Sequence, residues 1–144
     1  MSILVLTANG GKATLYRATS PTSALDEVET FDNPGGRAKD HDFNSDSPGR
    51  SCEGLGTAKH AMTSEIEPQE EEQIRFAKRL AEHLENQRQH HSFDRLVVVA
   101  GPKFLGMLRD HFGAPLRDLI TVEMDKDYTA MRADELRTHL PEFL

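Results

Sequence analysis

The sequence predicts an α/β domain built on one mixed five-stranded sheet with helices on its faces. Two observations set the class: nearly continuous apolar runs at Ile3-Leu4-Val5-Leu6-Thr7-Ala8 and Leu96-Val97-Val98-Val99-Ala100, and a helical stripe over residues 68–91 between them. Short unbroken apolar runs are the pattern of strands covered on both faces, as in sheets flanked by helices. A third observation makes the sheet mixed. Two alternating segments follow the first run too closely for a crossover helix, so the chain must turn back antiparallel there.

The first strand, residues 3–8, ends at Asn9-Gly10-Gly11, a hairpin signal that tolerates positive φ. The second, residues 12–19, sets Ala13, Leu15 and Ala18 against Lys12, Thr14 and Arg17. Pro21 marks the next turn, and residues 24–31 alternate again as an edge strand, with Leu25, Val28 and Phe31 among Asp26, Glu27 and Glu29. Residues 32–67 then shift to turn formers, including Asn33-Pro34-Gly35-Gly36-Arg37. A polar loop of this length marks either a functional segment or one without fixed structure. Pro68 suits a helix's first turn, Glu70, Glu71 and Glu72 complement its positive end, and Ile74, Ala77, Leu80, Ala81 and Leu84 recur at helical spacing. His90-His91 meets the negative end. Residues 96–100 form the fourth strand, a helix starts at Pro102, residues 119–124 form the fifth strand and residues 131–140 a short last helix. The order β-β-β-α-β-α-β-α sets the last strands parallel to the first. It is the element order of the ribonuclease H-like fold.

With 144 residues the chain has room for one domain, residues 1–144, carrying the polar loop at 32–67. The net charge is -7, from 17 Lys+Arg against 24 Asp+Glu, so the long-range field repels phosphate unless cations cluster locally. One cysteine, Cys52, excludes an internal disulfide, and the start Met-Ser-Ile-Leu-Val-Leu-Thr lacks the basic and long apolar stretches of an export signal. A cytoplasmic protein is expected. No apolar run approaches the ~20 residues of a membrane span, so no membrane partner is expected either.

Four blocks in this order resemble the bacterial host attachment family: residues 3–13, Ser45-Asp46-Ser47-Pro48-Gly49-Arg50-Ser51, residues 93–106, and Glu123-Met124-Asp125-Lys126-Asp127-Tyr128-Thr129. The resemblance spans essentially the whole chain. By fold, that family is similar to bacterial and archaeal release-factor-like proteins, related to the middle domain of eukaryotic class 1 release factors. The resemblance implies a Gly-Gly-Gln loop after the third strand, which in release factors reaches the peptidyl transferase centre. Gly35-Gly36-Arg37 takes that position here, and Arg37 stands in place of the Gln, which counts against peptidyl-tRNA hydrolysis. It also implies Asp at the end of the first strand, where this sequence has Asn9.

The residues themselves give two candidate groups. Glycines let backbone approach closely and cations meet phosphate, so Gly35, Gly36, Arg37, Lys39 and Arg50 fit partner binding; a solvated Gly-rich loop has the same composition. Asp46 brackets Pro48-Gly49 with Arg50, as a local ion pair or a partner contact. The second group is Asn9 with Asp125, Lys126 and Asp127, at strand carboxyl ends where open α/β sheets bind ligands. In the plainer alternative, Asp127 and Thr129 satisfy backbone amides in a turn. Ribonuclease H-like nucleases hold two divalent cations about 4 Å apart by converging carboxylates, one of them on the first strand. The first strand has none, and Asp94 precedes the fourth at its wrong end. His41 and His60 lack zinc-ligand spacing with Asp40, Asp42 and Cys52, and Cys52 lacks a partner base. Gly10-Gly11 is followed by a strand, so no helix start receives an anion there. No metal, cofactor or catalytic residue is expected.

The expected function is a non-catalytic interaction module of release-factor-like fold, docking on a ribosome, an RNA or a protein partner through residues 32–67. The alternative is a hydrolase acting on peptidyl-tRNA or RNA through the same loop. A surface adhesin is a third class, disfavoured by the start of the sequence.

Overall fold

The computed structural model of the chain describes residues 2–37 and 68–144. Five strands, β1 (Ile3–Ala8), β2 (Lys12–Ala18), β3 (Asp26–Asp32), β4 (Arg95–Ala100) and β5 (Ile120–Met124), form one sheet in the order β3-β2-β1-β4-β5. β1 pairs antiparallel with β2 and parallel with β4, and β4 is parallel to β5. The helices among the described residues are α1 (Pro68–Gln89), α2 (Pro102–His111), α3 (Ala114–Arg117) and α4 (Ala133–His139), with a 3-10 turn at Pro34–Gly36. The expected α/β class and mixed five-stranded sheet are what the chain adopts. None of these helices is long and apolar enough to cross a membrane.

The continuous apolar runs become the centre of the sheet. Every residue of β1 is buried, because β2 and β4 flank it and both faces are covered. Strand alternation sends Leu4, Leu6 and Ala8 with Leu96 and Val98 to one face, under Phe76, Leu80 and Leu84 of α1 and Phe104 and Leu108 of α2. Ile3 and Val5 with Val97 and Val99 go to the other, under Leu136 of α4, Leu140 and Leu144. That second layer is held by Arg137, whose guanidinium donates to the carbonyls of Pro21, Ser23, Pro141 and Glu142.

Several expectations differ in detail. β3 begins at Asp26, and Leu25 is buried just before it while Val28 is 48% exposed, so the strand's apolar residues do not share one covered face. α3 was not expected; it is four residues long, too short for a periodic signal. Neither glycine of the β1–β2 turn has positive φ. Asn9 makes the turn instead, its Oδ1 accepting from the amides of Gly11 at 2.7 Å and Lys12 at 2.9 Å.

α1 ends in a Schellman motif: His91 N–H donates to Arg88 O and Ser92 N–H to Gln87 O, with His91 at φ 56°. This is the usual place of glycine, because a Cβ crowds the left-handed conformation. His91→Gly should therefore stabilise the fold by about 0.5–1 kcal/mol in urea denaturation. A loss of stability would refute this account of the helix end.

Candidate functional site at the carboxyl end of the sheet

The β1–β2 turn is the centre of this end of the molecule. Asn9 sits where β1 leaves the sheet, and its side chain faces two ways. Oδ1 closes its own turn, while Nδ2 donates to Asp127 Oδ2 at 3.1 Å and to Thr129 Oγ1 at 3.0 Å, across 118 and 120 residues of chain. Asp127 in turn accepts from the amide of Thr129 at 3.1 Å and from its hydroxyl at 2.6 Å. Both turns meet because β1 and β5 are parallel and flank β4, so their carboxyl ends emerge side by side.

Burial on its own would raise the Asp127 carboxyl, but hydrogen bonds from Thr129 and Asn9 and the charge of Lys12 outweigh it and hold the group below the ordinary aspartate range. The ionised form is thus the one the site is built for. Its contribution to stability is complete above the ordinary aspartate value and is lost only as pH falls through the lowered one. Asn9→Asp would replace a donor by a second carboxylate and reverse this dependence, since like charges in contact raise the pKa of at least one. The variant should melt lower than the parent at neutral pH and close much of the gap by about pH 4. An equal shortfall at both pH values would refute the repulsion.

Gly10 and Gly11 carry the other side of the turn. Asn33 is buried, and its Nδ2 donates to Gly10 O at 2.9 Å and Glu72 O at 3.3 Å, while its amide donates to Gly11 O at 2.9 Å. The start of α1 completes the joint: Gln73 Nε2 donates to Gly36 O at 2.9 Å and Gln69 Nε2 to Arg37 O at 2.6 Å. A Cβ on Gly36 would fall 2.3 Å from Gly10 O. Gly36 is thus buried against the turn, whereas Arg37 is exposed, pairs with Asp32 and lies over Gly11.

The structure therefore brings Asn9 and Asp127 into contact and sets Gly35, Gly36 and Arg37 against the same turn. Asp125 and Lys126 are exposed beside them, with no hydrogen bond to Asn9 among the described residues. Lys39, Asp46 and Arg50, with His41, Cys52 and His60, lie outside the described residues. Among the described residues no three His, Cys, Asp or Glu side chains converge as metal ligands would.

Sequence reasoning missed Asn33, Gln69 and Gln73, which fix this end, and Lys12, which biases Asp127. It also missed Thr7, two residues before Asn9, whose hydroxyl is buried without a partner among the described residues. The only signal for Gln69 and Gln73 is their spacing of four on α1, which aims both at one neighbour.

A search of the curated proteins finds no match to the chain. A family model described as "protein required for attachment to host cells" matches residues 4–140.

Proposed function

Because the chain belongs to the family of proteins required for attachment to host cells, we propose that it acts as a non-catalytic interaction module with the ribonuclease H-like fold of a release-factor middle domain. The sheet order β3-β2-β1-β4-β5, with β1, β4 and β5 parallel, supports that fold. The Asn9–Asp127 hydrogen bond carries the non-catalytic reading. Paired hard cations need oxygens from several carboxylates at this end of the sheet. Here the residue facing Asp127 is an amide that turns a donor toward it, and with Thr129 on the other side both carboxylate oxygens already accept hydrogen bonds from within the chain.

The partner is a ribosome, an RNA or another protein, and no cofactor takes part. Partner contact falls to Arg37 and to Lys39, Asp46 and Arg50 in residues 38–67, with Asp125 and Lys126 beside the same turn. Gly36 positions rather than touches, and Gly35 and Arg37 form the accessible side of the joint. Since the net charge of -7 opposes phosphate, any RNA contact rests on these local cations and weakens with salt.

Co-sedimentation with ribosomes at about 50 and 200 mM salt tests this. Binding should be present at the lower salt, fall at the higher, and lose up to about three units of salt slope in the Arg37→Ala, Lys39→Ala, Arg50→Ala triple variant. Binding that ignores the triple substitution, or none at low salt, would remove the RNA assignment and leave a protein partner. Peptide release from ribosomal complexes, lost on Arg37→Ala, would overturn the non-catalytic reading in favour of a hydrolase acting through residues 32–67.

A further inference from the structure

Asn9 alone among the asparagines precedes a glycine. That pair favours deamidation, because a glycine amide has no neighbouring Cβ to hinder its attack on the asparagine side chain. Asn33 is followed by Pro34, which has no amide proton to lose, Asn86 lies inside α1, and Asn44 lies outside the described residues. In the native turn the attacking atom is uncommitted: among the described residues nothing accepts from the Gly10 amide. Its target is held instead. Asn9 Oδ1 accepts from the amides of Gly11 and Lys12, and Nδ2 donates to Asp127 and Thr129. The Thr129 hydroxyl gives its proton to Asp127, so both neighbours of Nδ2 are acceptors and neither offers the proton that departing ammonia needs. Gly10 itself is buried, with its carbonyl tied to Asn33.

We propose that Asn9 is a deamidation site kept in check by these hydrogen bonds, so that its conversion records opening of the carboxyl end of the sheet. When this end opens, a base in solvent takes the Gly10 amide proton and the nitrogen attacks Asn9 Cγ. The new Cγ–N bond closes a succinimide ring as the Cγ–Nδ2 bond breaks, and Nδ2 leaves as ammonia, taking up a proton from water. Water then opens the ring at either carbonyl and leaves aspartate or isoaspartate at position 9. Water is the only co-reactant. Either product sets a second carboxylate against Asp127, and like charges in contact oppose closure of the turn. Isoaspartate also routes the backbone through the side-chain carbon. The step runs one way, so a chain that has opened stays marked.

Peptide mapping by mass spectrometry of the full chain, aged at mildly alkaline pH, reads the rate of conversion at Asn9. The folded chain should convert at least about thirtyfold more slowly than the chain in guanidinium chloride, as several hydrogen bonds must open together. Thr129→Val removes the hydroxyl's bonds to Nδ2 and to Asp127, and should speed the folded rate by about tenfold. Leu119→Ala, half-buried at the other end of the sheet, should lower the urea midpoint and yet leave the rate within about threefold of the parent. Equal rates in the folded and denatured chain, or no change in Thr129→Val, overturn the proposal. So does an acceleration in Leu119→Ala that matches Thr129→Val, since general unfolding would then govern the reaction.

Discussion

Phe76→Ala should cost the fold about 3–5 kcal/mol, measured as a drop in the urea midpoint at unchanged slope. Phe76 is fully buried in the third turn of α1, its ring 5.8 Å from that of Phe104 and capped by the Arg79 guanidinium at 5.1 Å. It fills the space between α1, α2 and the sheet, so truncation removes apolar burial and leaves a cavity that two helices and a strand layer cannot close together. A domain of this size has about 5–15 kcal/mol in all, so the variant should be partly unfolded at growth temperature. Ile74→Ala, two residues earlier and only half-buried, should cost about 1 kcal/mol. Equal losses at both positions would mean that the orientation of α1 on the sheet is wrong.

The second large effect is expected at a glycine. Gly36→Ala would place its Cβ 2.3 Å from Gly10 O, 2.5 Å from Asn33 Nδ2 and 3.1 Å from Gln73 Cγ. The first of these is backbone, in a turn tied at both ends, and cannot swing aside. Relief requires the 3-10 turn to lift off the β1–β2 hairpin, which breaks the Asn33–Gly10 and Gln73–Gly36 hydrogen bonds together. We expect a loss of about 2–4 kcal/mol. Gly35→Ala meets only the Glu72 side chain, at 3.1 Å, and should be nearly neutral. The contrast has a practical consequence. Substitution of Gly36 reports on folding, so partner binding is better tested at the exposed Arg37.

Much of the fold was legible because the signals were local. The unbroken runs in β1 and β4 needed only neighbouring residues to say that both faces are covered, and the helical spacing of Ala77, Leu80, Ala81 and Leu84 gave the face of α1. The same reasoning left out Phe76, which is fully buried, while Ile74, which it placed in the stripe, lies half-buried against the same core. Hydrophobic type alone does not say which of two neighbouring positions points at a second helix. The turn at Gly10-Gly11 was read as one that tolerates positive φ; neither glycine uses that freedom, and both instead make room for Gln73 and Arg37 arriving from elsewhere in the chain.

The candidate site divides in the same way. Asn9, Asp127, Gly35, Gly36 and Arg37 could each be named from the sequence, because strand ends and glycine-rich turns announce themselves in a few residues. That Asn9 donates to Asp127 across 118 positions, and that Gly36 is buried beneath Gly10 O, could not. Composition and periodicity fix which segments become strands and helices, since those preferences act over one turn or one pleat. Which polar groups meet depends on the lateral order of strands, and that order is set only when the two apolar faces of the sheet are covered at once.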